Sequence, residues 1–110
     1  MSLSIIIPTL NEEAALPATL ASVAALTPAP LEVIVADSGS DDRTVELAQS
    51  FGARVLMDLP RGRAGQMNAG ARQATGDQLC FLHADTEIPS DFVVLVDASV
   101  RRPYLSRDLP

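Results

Sequence analysis

Three side chains able to hold a metal ion or move a proton, His83, Asp85 and Glu87, follow directly on the apolar run Leu79-Cys80-Phe81-Leu82. A carboxylate cannot lie unpaired in a core, so the chain must surface at His83. His83 and Asp85 are two residues apart and share a face if extended geometry continues past the run. Asp85 is a hard oxygen donor suited to Mg2+ or Mn2+, and His83 accepts Mn2+ more readily than Mg2+. Two such donors do not close a metal cage; they suit an ion completed by phosphate oxygens and water. Taken alone, the stretch also reads as a strand and polar turn with Asp85 capping the next helix.

A second apolar run, Leu31 to Ala36, ends in Asp37. Its carboxylate can accept two hydrogen bonds, which suits a ribose diol or a nucleobase N–H. Asp41 or Asp42 is better placed to cap the following helix, so Asp37 is expected to have no structural work. After the first run, Ser4 to Ile7, Thr9 and Asn11 offer hydrogen bonds to a polar ligand where a dinucleotide site would offer glycines. No Gly-x-Gly-x-x-Gly follows that run, and there is neither a P-loop nor a nucleophile elbow. Arg61 and Arg63 lie in a loop entering a helix, where backbone N–H groups add to their positive field. That loop reads equally as a pyrophosphate cradle or as solvated surface. Asn68 lies about one turn into that helix, where a plain surface residue would also fit.

Strands and helices alternate around these groups. Ser4–Ile7 is a β-branched run suited to a central parallel strand, ended by Pro8. A helix follows, with Asn11 as N-cap, Pro17 in or near its first turn, and Leu16, Leu20 and Val23 on its inner face. Leu31–Ala36 is a strand, Arg43–Phe51 a helix with Gly52 just past its end, and Ala53–Met57 a short strand. Ala64–Ala74 is alanine-rich and helical despite Gly65 and Gly70, with Gly76 as a second helix-ending glycine. Leu79–Leu82 is the next strand, and Ser90 opens a last helix with Phe92, Val93, Val96 and Val100 inward. The pattern predicts an α/β fold, a mostly parallel sheet of about four strands with helices on both faces. Right-handed crossovers then bring Thr9, Asp37 and His83 to Asp85 to one edge, where open α/β sheets bind ligands.

The bulk properties narrow the function. With 110 residues, 47% of them apolar, the chain is one small folded domain over 1–102 with a tail over 103–110. No run is long enough to span a bilayer, so no transmembrane segment is expected, and no signal-like segment precedes the first strand. The single cysteine, Cys80, implies no disulfides and a reducing, cytoplasmic setting. The net charge is −6, and the basic residues are arginines without lysine, which argues against a nucleic-acid partner. A phosphate ligand would have to be met by helix N-termini, local arginines or a metal ion.

Four stretches, Ser4–Glu13, Glu32–Thr44, Gly62–Gly70 and Leu82–Thr86, together carry a family likeness. In their order and approximate spacing the chain resembles the N-terminal half of family 2 glycosyltransferases, from Leu3 to about Arg102. The resemblance implies a Rossmann-like GT-A nucleotide-binding half. Its donor would be a nucleoside-diphosphate sugar, a UDP-sugar first among candidates, with Mn2+ or Mg2+ as cofactor. Thr9, Asn11, Glu12 and Asp37 would then lie on the nucleotide sugar, with Thr9, Glu12 and Asp37 on the nucleoside. Arg63 stands where the family has a lysine, and Asn68 matches its asparagine. His83-Ala84-Asp85 occupies the place of the family's Asp-x-Asp motif. Asp85 matches the aspartate that binds the metal, and His83 replaces the one that faces ribose and metal. The family's acceptor site and general base lie further on, so the chain is expected to end before them. No base is assigned among Glu87, Asp91 and Asp97, and the acceptor stays open. The alternative reading is a non-catalytic nucleotide-binding or assembly module. An apolar edge at Leu79–Leu82 short of neighbours also leads to the expectation of a homo-oligomer.

Overall fold

The computed structural model describes residues 2–88. Strands β1 (Leu3–Thr9), β2 (Glu32–Asp37), β3 (Arg54–Leu56) and β4 (Gln78–Phe81) form one sheet in the order β3-β2-β1-β4. Every pairing is parallel. Helices α1 (Leu16–Ala24), α2 (Thr44–Ser50) and α3 (Arg63–Gln73) make the crossovers. The expected α/β architecture is therefore present. The expected last helix and tail, with Asp91 and Asp97, lie outside the described residues.

The two faces of the sheet bury different side chains, as period-two alternation requires. On one, Ile5, Ile7, Val35 and Cys80 pack with Leu16, Leu20 and Val23 of α1 and Ala48 of α2. On the other, Ile6, Ile34 and Leu79 pack against Ala71 and Ala74 at the α3 end. β1 is buried along its whole length, which explains its unbroken β-branched run. Burial pushes the Cys80 thiol up to about 12, so it serves as a core residue and not as a nucleophile.

The roles expected of Pro8, Asn11 and Gly76 at element boundaries are corrected, each for a local reason. Pro8 does not end β1, which runs on to Thr9. The Leu82 N–H donates to the Ile6 carbonyl, so by alternation Pro8 also faces β4, beyond the last β4 pair at Ile6–Phe81, where no N–H is needed. Asn11 does not cap α1: it adopts a left-handed φ of 54°, and the helix begins at Leu16, with Pro17 in its first turn as expected. Gly76 does not cap α3, which ends at Gln73 with Ala74 already extended. Its role is close approach: its N–H donates to Ser4 Oγ at 2.9 Å, and a Cβ there would sit 2.9 Å from the Ser4 backbone nitrogen.

The edge of the sheet away from the strand ends is locked around Glu32. Its Oε2 accepts from Ser4 Oγ at 2.6 Å and from the Thr75 N–H at 2.7 Å. Burial alone would raise this carboxyl, but the bonds from Ser4 and Thr75 and the field of Arg54 outweigh it and hold it below its ordinary 4.5. A depressed folded-state value means that the bonds stabilise the fold above 4.5 and are lost as pH falls through the lower value. Glu32→Gln should therefore show a smaller loss of stability than wild type as pH drops below 4.5, read from urea midpoints. Parallel pH profiles would remove Glu32 from the acid response.

Gly70 sets the distance between α3 and the sheet. A Cβ there would lie 2.5 Å from Ile6 Cγ2, on a side chain with no room to yield, whereas one at Gly65 would meet nothing within 4 Å. Gly70→Ala should cost about 1–3 kcal/mol by overpacking. Gly65→Ala should stabilise by about 0.5–1 kcal/mol through helix propensity. Opposite signs in urea unfolding check the pair; equal effects would mean that the contact at Ile6 does not set the spacing.

Candidate functional site

The register of β1 on β2 places Thr9 beside Asp37 at the carboxyl edge of the sheet. Both are buried. Thr9 Oγ1 donates to Asp37 Oδ1 at 2.6 Å, and Ser40 Oγ donates to the same oxygen. Asp37 Oδ2 accepts from the N–H groups of Gly39 (3.0 Å) and Ser40 (2.8 Å). A carboxylate has about four lone-pair positions, and here all are occupied. The expectation that Asp37 lacks structural work is thus corrected: it folds the turn after β2 onto the end of β1. Asp42, not Asp37, satisfies the first N–H of α2, that of Thr44, at 2.9 Å, as expected.

The loop before α1 is bonded to the loop before α2 along its length. The Asn11 N–H donates to Ser40 Oγ (2.8 Å), and Asn11 Oδ1 accepts from the Asp41 N–H (3.0 Å). The Glu12 N–H donates to Thr44 Oγ1 (2.8 Å), while the Glu12 carboxylate accepts no hydrogen bond among the described residues. Glu13 Oε1 accepts from the Arg43 N–H (3.1 Å), and the Glu13 N–H donates to Asp42 Oδ2 (3.2 Å). Asn11 therefore shapes the loop, and Glu12, half-buried, is the carboxylate this loop leaves open.

A residue missed in the sequence joins these strand ends to α3. Gln66 is buried, and its Nε2 donates to the carbonyls of Thr9 (3.0 Å) and Ala36 (2.8 Å). The signal was available: Gln66, Gly70 and Ala74 recur every four residues, which puts a polar side chain in the inward stripe of α3. Arg63, the first residue of α3, is exposed, as is Arg61, and neither forms an ion pair with a described residue. Asn68 is half-buried one turn further on. The Leu59 N–H donates to the Asp37 carbonyl at 3.0 Å, tying the arginine loop to the same edge.

Extended geometry does not continue past β4. The Thr86 N–H donates to the His83 carbonyl at 3.1 Å, closing a turn in which Ala84 is buried while His83 and Asp85 are exposed. Among the described residues the Asp85 carboxylate accepts only a 3.4 Å bond, from Thr86 Oγ1. No three His, Cys, Asp or Glu side chains converge among the described residues. The donor set fits an ion completed by phosphate oxygens and water, not a closed protein cage.

A family model for "Glycosyl transferase family 2" matches residues 4–98. The chain belongs to glycosyl transferase family 2. A "PGL/p-HBAD biosynthesis glycosyltransferase" of Mycobacterium tuberculosis is 43% identical over 91 residues, covering 77% of this chain and 36% of its own length. The crystal structure of S. aureus TarS 1–349 in complex with UDP-GlcNAc superposes with a TM-score of 0.79 and 26% identity, over 89% of this chain and 30% of that one. M. tuberculosis glucosyl-3-phosphoglycerate synthase, solved with Mn2+, UDP-glucose and phosphoglyceric acid, gives 0.67 and 30%, over 76% and 33%. This family 2 chain thus has the GT-A type of sheet and spans about a third of the length of its relative. Among the described residues no helix is long and apolar enough to cross a membrane.

The bridge made by Gln66 generates a stability test. Gln66→Leu removes both donors from buried carbonyls at similar volume and should cost about 1–3 kcal/mol. Gln66→Glu should cost more, because a carboxylate would face two carbonyl oxygens. Urea midpoints at pH 7 rank the three proteins; wild-type stability in Gln66→Leu would show that the bridge contributes nothing.

Proposed function

We propose that the chain binds a nucleoside-diphosphate sugar at the carboxyl edge of its sheet, with a divalent ion, as the donor-binding part of a sugar transferase. The observation that carries this reading is the division of that edge into a closed side and an open one. Thr9 and Asp37 are buried and bonded to each other, while Arg63 and Asp85 stand exposed on elements that start from the same edge. UDP and UDP-sugars in the structural neighbours support the choice of ligand, and Mn2+ in one of them supports the ion.

Each residue then has a role set by its surroundings. Asp37 and Thr9 shape the nucleoside pocket by fixing the turn at Ser38 to Ser40, since Asp37 has no spare lone pair. Asn11 holds the facing loop, and Glu12 supplies its free carboxylate to the nucleoside. Arg63, at the N-terminus of α3, meets the diphosphate together with backbone N–H groups, and Asn68 lies one turn behind it. Asp85 and His83 would hold Mn2+ or Mg2+. When bound, that ion neutralises charge on the departing nucleoside diphosphate. An acceptor hydroxyl takes the anomeric carbon; no described residue is placed to accept its proton.

Asp85→Ala is the direct test. Calorimetry of UDP with and without MnCl2 should show an unchanged metal-free affinity and loss of the gain that Mn2+ confers. Retention of that gain would move the ion away from Asp85. Sugar release from UDP-glucose or UDP-GlcNAc, followed in parallel, reports whether bound donor is activated.

A further inference from the structure

The turn that carries His83 and Asp85 lies beyond the strand pairing of the sheet, which ends at Ile6–Phe81 among the described residues. Among the described residues the last backbone hydrogen bond from this segment to β1 is the Leu82 N–H on the Ile6 carbonyl, and from there hydrogen bonds to α1 take over. Thr19 Oγ1 donates to the Ala84 carbonyl at 2.6 Å, a buried bond between residues far apart in sequence. One turn along α1, Ser22 Oγ accepts from the Ile88 N–H at 3.1 Å and donates to the Thr19 carbonyl at 2.7 Å. Ala84 and Ile88 are themselves buried in the core cluster that contains Leu16 and Leu20. The segment is thus pinned at Ala84 and at Ile88, and the exposed donors His83 and Asp85 flank the first pin.

We propose that Thr19 is a positioning residue: its hydroxyl, with that of Ser22, fixes the turn on α1 and sets where the donor atoms of His83 and Asp85 stand. Thr19 is 1% exposed and lies in the apolar stripe of α1 between Leu16 and Val23, where an aliphatic side chain would satisfy packing alone. A hydroxyl there has a use only if it is hydrogen-bonded. Its strong partner is the carbonyl between the two donors; the other contact, to the Ala15 carbonyl within the helix, is 3.5 Å. The groups held at the far end are exposed and, among the described residues, form few other side-chain bonds, so this backbone anchor is what orders them. The inference rests on the reading that Asp85 holds the ion.

The test is Thr19→Val, which keeps the shape and removes the donor, with Thr19→Ser restoring it. In metal-free protein, amide exchange of Thr86 and Ile88 should quicken in Thr19→Val and return towards wild type in Thr19→Ser. The gain in UDP affinity conferred by MnCl2 should fall by on the order of tenfold in Thr19→Val, while metal-free UDP affinity stays unchanged. A role in packing alone would lower stability without touching the Mn2+ gain. Should Thr19→Val not fold, Ser22→Ala, which removes the bond to Ile88 together with the local one to the Thr19 carbonyl, carries the same measurements. A wild-type Mn2+ gain in Thr19→Val, with the gain lost in Asp85→Ala, overturns the role of Thr19 and leaves the metal assignment standing. A gain kept in both variants overturns the metal assignment, and the inference with it.

Discussion

A buried carboxylate at the end of β2 governs the site end of this domain. Asp37 is 1% exposed, and such a charge is tolerable only when its oxygens are satisfied. Bonds from Thr9, Gly39 and Ser40 do this, and each charge-assisted bond is worth about 1.5–3 kcal/mol. Their geometric effect matters as much as their energy. They bend the chain after β2 towards β1, which places Ser40 within reach of the Asn11 N–H. The bonds between the loops before α1 and α2 all lie beyond that point. Loss of the Asp37 carboxylate would therefore loosen two loops, although the strands themselves are held by their ladder.

The same edge also needs a fixed distance to α3. Gly70 allows the helix to lie on Ile6, and only at that depth can Gln66 reach the carbonyls of Thr9 and Ala36. One close approach and one carboxamide thus set α3 against the strand ends. Arg63 sits at the start of the same helix, less than one turn from Gln66, so its backbone inherits that placement. Its guanidinium is exposed and pairs with no described acidic residue.

Periodicity sufficed for the alternation of strands and helices, because apolar runs and inward stripes are local features. It did not suffice where a residue's role lies in a partner far along the chain. Asn11 looked like a helix cap because Asn followed by two glutamates suits one; its true partners, Ser40 and Asp41, lie some thirty residues on. Gly76 looked like a helix end, but its reason is Ser4, at the other end of the chain. Asp37 was noticed for its type and place, whereas the saturation of its oxygens depends on a turn geometry that no spacing encodes. Gln66 and Thr19 show the opposite case. Each is a polar residue inside an apolar stripe, a local anomaly that can be read without knowing the partner.

The two sides of the site are secured by different means, and α1 connects them. Its leading loop is bonded to the turn after β2, and the Glu12 carbonyl accepts from the Leu16 N–H at 2.9 Å as the helix begins. Further along, Thr19 and Ser22 hold the segment after β4. A rigid helix so fixed at both places keeps the turn after Asp37 and the segment carrying Asp85 in register, although no strand pairing joins β2 to β4. The exposed groups then need little support of their own. Under the proposed function their side chains would adapt to a diphosphate while the backbone beneath them stays fixed, which would lower the ordering cost of binding a small charged ligand.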